Sequence, residues 1–310
     1  MRCGLFAPSY YSEFECIKGE CRHSCCIGWE IDIDDATMQK YASVGADIGE
    51  AIRKSICAPD GEDGCLPHFV LGEGGRCPHL DECGLCRIIT ELGEDHLSDI
   101  CRLHPRFFNE TANGREVGLG MSCEEACRII LTSDGYADIL RIGEDEGEIV
   151  DFNVGDFRSE AYSILSDKNL KYSEKLSLIE KRFLVAPTLL SDGEWREVIS
   201  SLEFLADTSQ KRLSSYSSAI CDSIWERELE RALAYFIYRH ASGAKSYVEF
   251  RTGLGFALFC ERLLASVAQA EGISEFSDFI DLARLVSEEI EYSSDNTDAL
   301  MAEIEFALHT

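Results

Sequence analysis

The segment Cys16-Ile17-Lys18-Gly19-Glu20-Cys21-Arg22-His23-Ser24-Cys25-Cys26 places four cysteines within eleven residues near the start of the chain. Three further groups follow: Cys77-Pro78-His79-Leu80-Asp81 leading to Cys83 and Cys86, Cys101-Arg102-Leu103-His104-Pro105-Arg106, and Ser122-Cys123 with Cys127 one helical turn later. Short, turn-rich spacers allow several thiolates to converge on one small metal centre. The four groups together predict a metal site built from cysteines.

The distribution of the remaining cysteines favours a reduced, metal-binding protein over a disulfide scaffold. Thirteen of the fifteen cysteines lie between Cys3 and Cys127, and only Cys221 and Cys260 follow. The N-terminus lacks the basic start and apolar run of an export signal, so we expect a cytoplasmic protein whose cysteines bind metal. Cys221 and Cys260 lie among apolar residues, so we expect them in a hydrophobic core, outside the metal site.

The identity of the metal is open on spacing alone. Zinc takes the same thiolates in closed structural sites, and iron–sulfur clusters take four cysteines from one or several segments. The chain contains no Cys-x3-Cys-x2-Cys triplet and no strand–helix alternation. An enzyme of the radical-SAM class, which has a barrel fold, is therefore not expected.

The composition indicates a globular chain with an acidic surface. Of the 310 residues, 45% are hydrophobic and 28% are charged, and the net charge is −28. Such a field repels a phosphate backbone, so we expect no nucleic-acid partner. No apolar stretch reaches membrane-spanning length, because the best candidate, Leu254 to Val267, is interrupted by Glu261 and Arg262; we therefore expect no membrane association.

The periodicity of apolar residues changes along the chain and predicts a mainly α fold. Alternation at Trp29 to Ile33 predicts one strand, and Arg115 to Met121 predicts another. Beyond Asp151 three apolar stripes predict amphipathic helices, over Trp225 to Phe236, Phe256 to Val267 and Phe276 to Val286. Ser191 with Glu194 predicts a capping box at a helix start.

The acidic stretch Gly143 to Gly147 is the expected domain boundary. We therefore predict a cysteine-rich metal-binding domain of short strands and loops over residues 1–147, followed by a helical bundle over 148–310. The glycines of Gly72 to Gly75 predict a turn before Cys77, since no strand–helix unit surrounds them as in a nucleotide-binding loop.

Two arginines lie in the third cysteine group. Arg102 and Arg106 flank Pro105, and guanidinium groups beside a metal cluster could bind a carboxylate of a cofactor. A structural ion pair explains them equally well.

The ordered motifs resemble those of the flagellin lysine-N-methylase family. The resemblance rests on Cys16…Cys21…Cys25-Cys26…Trp29, Cys77-Pro78-x-Leu80-Asp81…Cys86-Arg87, Cys101-Arg102-x-x-Pro105-Arg106, Ser122-Cys123 and the helical Tyr235-Phe236-Ile237-Tyr238-Arg239-His240. That family belongs to a wider group with a cysteine-rich zinc- or iron-chelating domain.

The resemblance implies a [4Fe–4S] cluster and methylation of lysine side chains on flagellin with S-adenosylmethionine as the methyl donor. It implies eight candidate metal ligands, more than one cluster needs: Cys16, Cys21, Cys25, Cys26, Cys77, Cys86, Cys101 and Cys123. No base for the lysine is assigned; Tyr235, Tyr238 and His240 are guesses only. The alternative is a non-catalytic zinc- or iron-binding module that holds a protein partner.

Overall fold

The fold is described from a computed structural model, which describes residues 2–58, 66–185, 190–219 and 223–309. About 56% of the chain is helical, which confirms the mainly α prediction. Among the described residues the helices are α1 Asp35–Ser43, α2 Ala46–Lys54, α3 Arg87–Leu92, α4 Asp99–Leu103, α5 Glu124–Thr132, α6 Gly155–Leu165, α7 Tyr172–Phe183, α8 Asp192–Ser201, α9 Asp207–Leu213, α10 Glu226–Ala241, α11 Tyr247–Glu271, α12 Phe276–Val286 and α13 Ser294–His309. The strands are β1 Arg2–Pro8, β2 Ile56–Cys57, β3 His68–Phe69, β4 Arg106–Thr111, β5 Gly114–Leu119 and β6 Ile139–Glu146.

The chain divides into two compact units. The first, which we call the helical unit, contains Met1–Phe14 and Arg106–Thr310; the second, the cysteine unit, is Glu15–Pro105. The segment 106–147, which we expected in the cysteine-rich domain, lies in the helical unit. The predicted domain boundary at residue 147 stays a prediction.

A four-stranded sheet in the order β4-β5-β1-β6 belongs to the helical unit. Strand β1 runs parallel to β5 and antiparallel to β6, while β4 and β5 form a hairpin. Gly114 turns this hairpin with a φ of 137°, and a Cβ there would lie 2.3 Å from the carbonyl oxygen of Gly4. Only glycine fits that close approach. The strand predicted at Arg115 to Met121 is confirmed as β5.

The predicted helices of the second half are confirmed. The three apolar stripes form α10, α11 and α12, and their side chains share one large core. Helices α10 and α11 pack so closely that a Cβ on Gly253 would lie 2.3 Å from the carbonyl oxygen of His240. Cys260 is fully buried in this core, as expected, whereas Cys221 lies outside the described residues.

Two further predictions, a capping box at Ser191 and a turn before Cys77, are also confirmed. The hydroxyl of Ser191 accepts a hydrogen bond from the backbone N–H of Glu194 at 3.3 Å, and Glu194 accepts one from the N–H of Ser191 at 2.8 Å. This reciprocal capping box opens α8. Residues Glu73–Gly75 form a single helical turn before Cys77.

Helix α11 corrects the expectation about membrane-spanning length. Among the described residues it alone is long and apolar enough to cross a membrane, despite Glu261 and Arg262. Within its most apolar window, 78% of the helix is buried inside the protein, which is the pattern of a core helix. The charged pair is accommodated there because Arg262 contacts Glu261 at 2.7 Å and Glu180 at 3.0 Å.

The cysteine unit has its own small core, separate from the large one. Helices α1 to α4 and the two-stranded pair β2–β3 surround it. Its buried members are Ile31, Ile33, Tyr41, Ile48, Ile52, Phe69, Cys77, Leu80 and Ile88.

One sequence-based prediction about strands is wrong. Trp29 to Ile33 forms no strand; only Asp32 makes an isolated bridge, to His68, although Ile31 and Ile33 are buried as their alternation requires. The residues of the acidic stretch up to Glu146 complete strand β6 and pair with β1.

Candidate functional site

Two of the cysteine groups are held opposite one another by backbone pairing in the cysteine unit. The N–H of Cys77 donates to the carbonyl of Cys26 at 2.8 Å, and the N–H of Gly28 donates to the carbonyl of Gly75 at 2.9 Å. Between these bonds Ile27 and Arg76 form an antiparallel bridge. This backbone pairing, rather than their spacing along the sequence, places Cys26 beside Cys77.

Cys86 is brought back toward Cys77 by a tight turn. The carboxylate of Asp81 accepts hydrogen bonds from the N–H groups of Cys83 and Leu85, both at 2.8 Å. The turn closes with an antiparallel bridge between Leu80 and Cys86. Cys86 then stands immediately before the first turn of α3.

Cys101 lies on the short helix α4, and one carboxylate fixes where that helix begins. Asp34 caps α1, since its Oδ1 accepts from the N–H of Thr37 at 2.9 Å. Its Oδ2 accepts from the N–H of Asp99 at 3.0 Å, in the first turn of α4. Asp34 thereby ties the start of α1 to the start of α4.

Four thiols are brought to the small core by the backbone pairing of Cys26 with Cys77, the turn at Asp81 and the cap at Asp34. Cys77 is 6% exposed inside the core, and Cys26, Cys86 and Cys101 pack against it. Burial, together with negative charge on each of the other three thiols, raises the pKa of Cys77 to about 12. Burial and the charges of Cys26 and Cys86 likewise raise the pKa of Cys101 to about 11. The four thiols are therefore electrostatic neighbours.

Cys26 differs from the other three in its ionisation. A hydrogen bond from the thiol of Cys25 lowers the pKa of Cys26 to about 7, against the opposing effect of burial, with Ser24 and Arg76 adding to the lowering. One thiolate is thus available near neutral pH without metal, and the other three need a cation to offset their desolvation.

The environment of the four sulfurs fits a thiolate-bound cluster. The N–H of His79 points at the sulfur of Cys77, and those of Ile88 and Ile89 point at Cys86. Backbone N–H groups of this kind stabilise cluster sulfurs. Apolar side chains of the small core pack against the four cysteines, of which Cys77 is buried and the other three are partly buried.

The separation of the donors bears on the kind of metal. Among the described residues, no three His, Cys, Asp or Glu side chains are grouped tightly enough to hold a metal ion. A tetrahedral zinc ion needs its sulfurs about 2.3 Å from one centre. A cluster that carries its own bridging sulfides takes its cysteines from a wider perimeter. The identity of the metal at these cysteines stays a prediction.

The other predicted ligands are not part of the small core. Cys16 and Cys25 are exposed, and the thiol of Cys21 donates to the carbonyl of His23 at 3.2 Å. Cys123 precedes α5 in the helical unit. Among the cysteines outside the eight candidate ligands, Cys57 and Cys83 are exposed, Cys127 is buried in the large core, and Cys65 lies outside the described residues.

The two arginines of the third group have structural partners. Arg102 contacts the carboxylate of Asp99 at 2.7 Å, with both side chains about half exposed, at 51% and 58%. In the helical unit, Arg106 donates to the hydroxyl of Tyr11 at 2.9 Å, and its guanidinium lies over the ring of Phe14 at 5.5 Å. Their predicted role in binding a cofactor stays a prediction.

His79, in the second cysteine group, is buried and hydrogen-bonded. Its Nε2 lies 2.8 Å from the hydroxyl oxygen of Ser55, which donates its own proton to the carbonyl of Ile52. Nε2 therefore carries the proton of the neutral ring. Burial lowers the pKa of His79 to about 4, with the charge of Arg87 acting in the same direction.

A second polar group, which the sequence did not indicate, lies inside the helical unit. Glu291 is completely buried, and its carboxylate contacts His240 at 2.6 Å and Arg239 at 3.4 Å. The hydroxyl of Tyr235 donates to it at 3.0 Å. Glu291 ends a π-helical turn, Ser287–Glu291, an arrangement often found at functional sites.

His240 also lines a cavity of about 350 Å³ in the helical unit, together with Glu249 and Glu305. Burial lowers the pKa of His240, so the ring is neutral at physiological pH and can accept a proton. Burial raises the pKa values of Tyr235 and Tyr238 well above the usual range, so neither phenol is suited to act as a base.

The residues that sequence reasoning missed are Asp34, Tyr41 and Glu291. Asp34 and Glu291 bind residues from distant segments, and Tyr41 lies in a core that distant segments build. The one available signal was Asp34 with Thr37, which has the form of a helix N-cap.

The chain is similar to three bacterial proteins over part of its length. It is 32% identical over 139 residues to the flagellar biosynthetic protein FliU of Salmonella muenchen, covering 44% of this chain and 80% of that protein. It is also 32% identical over 126 residues to the lysine-N-methylases of Salmonella typhimurium and Salmonella choleraesuis, covering 40% of this chain. The match spans 31% of the length of each lysine-N-methylase.

No protein-family model matches the chain, and no solved structure matches it. The similarity to FliU nevertheless extends over four fifths of that relative, and the lysine-N-methylases match at the same identity. The chain therefore belongs to the family that contains FliU and these lysine-N-methylases.

Proposed function

We propose that this protein transfers methyl groups from S-adenosylmethionine to lysine side chains of a protein inside the cell, with flagellin as the first candidate substrate. The observation that carries the proposal is the 32% identity to two proteins named lysine-N-methylase. Because the match covers less than a third of those relatives, the activity and the substrate are proposals for this chain.

The cysteine unit supplies the cofactor part of the proposal. We infer that Cys26, Cys77, Cys86 and Cys101 hold a [4Fe–4S] cluster, because these four of the eight candidate ligands share one apolar core. If only three of these thiols bound iron, the fourth iron would be free of protein ligands and would supply a site for the amino and carboxylate groups of S-adenosylmethionine. The protein's own contribution is to donate backbone N–H groups to the sulfurs and to surround them with apolar side chains of the small core.

The acidic charge of the chain fits a lysine-bearing partner. A net charge of −28 attracts a basic protein surface and accelerates its approach. The same charge is also sufficient to explain solubility alone, so it supports the proposal without deciding it.

The decisive experiment is a methylation assay on anaerobically reconstituted protein. Purified flagellin and S-adenosylmethionine are added, and lysine-containing peptides are examined by mass spectrometry for gains of one methyl unit. We expect methylation with the wild type and its loss with Cys101→Ala. The matched control is Cys57→Ala, which changes an exposed cysteine outside the small core and is expected to retain activity.

The result that overturns the methylase proposal is equally clear. A wild-type protein that holds a full cluster but binds no S-adenosylmethionine is not a methylase of this kind. The non-catalytic metal-binding module then becomes the better description. Stoichiometric zinc in anaerobically purified protein, with no iron, would overturn the cluster and leave lysine methylation to be judged by the assay itself.

A further inference from the structure

Tyr41 carries a buried hydroxyl with no partner. Its side chain is 1% exposed, and among the described residues nothing forms a hydrogen bond with its Oη atom. A buried phenol normally finds an acceptor, because leaving its O–H unbonded forfeits the hydrogen bonds it makes with water. Something is therefore expected to accept this proton in the complete protein.

The groups around this phenol are the thiols of the candidate metal centre. Tyr41 belongs to the same small core as Cys77, and its ring centroid lies 6.1 Å from that of Phe69. Besides burial, negative charges on Cys101, Cys86 and Cys77 each raise the pKa of Tyr41, so all three sulfurs are its electrostatic neighbours. A neutral thiol is a weak acceptor, whereas a metal-bound thiolate or a sulfide is a strong one.

Asp34 is the remaining charged neighbour, and it is already engaged. Its two carboxylate oxygens accept from the N–H and hydroxyl of Thr37 and from the N–H of Asp99. These bonds fix α1, which carries Tyr41, relative to α4, which carries Cys101. The phenol thus lies in the core against which these thiols pack, without a hydrogen-bond acceptor among the described residues.

We propose that Tyr41 donates its hydroxyl proton in a hydrogen bond to a sulfur of the cluster held by Cys26, Cys77, Cys86 and Cys101. The inference rests on the cluster part of the proposed function. Hydrogen bonds to cluster sulfurs stabilise the more negative, reduced state and so raise the reduction potential. Tyr41 is accordingly a positioning residue that sets the potential and retention of the cluster.

The test compares Tyr41→Phe with a matched control, Tyr216→Phe. Tyr216 lies in the helical unit, is 0% exposed, and also has a hydroxyl without a partner among the described residues. In metal-free protein both substitutions remove an unbonded buried hydroxyl, so the denaturant midpoint is expected to be unchanged or higher in both. Only the cluster-loaded protein separates them.

Each protein is loaded anaerobically with ferrous iron and sulfide, and its midpoint potential is measured by redox titration followed by electron paramagnetic resonance. We expect a more negative midpoint for Tyr41→Phe, together with loss of iron to a chelator that is about tenfold faster. Tyr216→Phe is expected to match the wild type in both measurements.

The outcomes distinguish this inference from the proposals on which it rests. If Tyr41→Phe holds a full cluster with the wild-type potential and spectrum, the inference is wrong and the cluster proposal stands. If the wild type takes up no iron and sulfide, both fall together. A shifted potential in a protein that methylates nothing would support the inference and overturn the proposed methylase activity.

Discussion

The Nε2 atom of His240 lies 2.6 Å from the Oε1 atom of Glu291. Both side chains are inside the helical unit, and the carboxylate is fully screened from water. Although burial opposes ionisation, the charge of Arg239 and the hydrogen bond from His240 hold the pKa of Glu291 below its ordinary value. The carboxylate is therefore ionised and compensates the buried guanidinium.

Replacing this carboxylate with an amide should be strongly destabilising. In Glu291→Gln the Arg239 guanidinium stays buried, over the ring of Tyr292 at 4.6 Å, without its counter-charge. Breaking a buried ion pair at one partner typically costs about 3–5 kcal/mol, and we expect a loss in that range from urea unfolding at neutral pH.

The control for this substitution is Glu160→Gln. Glu160 forms a bidentate pair with Arg182, with side chains 39% and 45% exposed. Exposed pairs contribute about 0–1 kcal/mol, so the control should be nearly neutral. Equal effects of the two substitutions would show that the buried charge of Glu291 is not needed for stability.

His240 should make stability decrease as the pH falls. Burial lowers its pKa in the folded protein, and Arg239 acts in the same direction against the hydrogen bond to Glu291. The unfolded chain takes up a proton at its ordinary pKa of about 6.5, where the folded protein does not. The unfolded state then binds more protons, so the free energy of unfolding falls below that pH.

The measurement is urea unfolding of the wild type and of His240→Gln between about pH 7 and pH 5. Glutamine keeps a donor for Glu291 but cannot titrate, so we expect a shallower fall in stability with this variant. Identical slopes in the two proteins would mean that His240 titrates in the folded state as it does in the unfolded one.

A cysteine scan should separate the four thiols of the small core from the other predicted ligands. We expect Cys77→Ser and Cys101→Ser to lose most of the iron and acid-labile sulfide bound after anaerobic reconstitution. Cys16→Ser changes an exposed cysteine and should retain both. Circular dichroism checks that the variants remain folded. Loss of iron as complete in Cys16→Ser as in Cys77→Ser would extend the ligand set beyond the core.

Asp34 should support the same centre without touching metal. Its carboxylate caps α1 and also accepts from the N–H of Asp99. Asp34→Ala removes both bonds, and loss of a cap alone costs about 1–2 kcal/mol. We expect lower stability by at least that amount and weaker retention of iron in a chelator challenge.

The neighbouring Asp35→Ala is the matched control, since Asp35 lies in the first turn of α1 and is exposed. Its charge acts only through the helix dipole, a contribution of about 0.3–1 kcal/mol. If both alanine variants hold iron equally well, Asp34 does not organise the centre.

The features that the sequence predicted correctly are those in which the cause is local. An apolar residue on every helical turn is sufficient to bury one face, so α10 to α12 follow from their stripes. The capping box at Ser191 and Glu194 needs only residues three apart. Alternation at Ile31 and Ile33 predicted which side chains are buried, but a strand also needs a partner along its length, and only Asp32 finds one.

The candidate site was harder to predict because its members meet through contacts between distant segments. The family resemblance implied eight possible ligands, yet the bond from the N–H of Cys77 to the carbonyl of Cys26 decides that these two are neighbours. Tyr41 and Glu291 carry no motif, since their significance depends on which groups surround them after folding. Patterns along the chain report such groups only when the partners are close in sequence.

Strand β1 and strand β4 belong to the same sheet, although the whole cysteine unit lies between them in the chain. The guanidinium of Arg106, the first residue after that unit, lies over the ring of Phe14, the last residue before it, at 5.5 Å. The cysteine unit is thus an insertion whose two ends are fixed side by side on one scaffold. Such a segment is exchangeable: we expect that joining residues 14 and 106 through a short glycine linker would leave a continuous helical protein, onto which other inserted modules could be grafted.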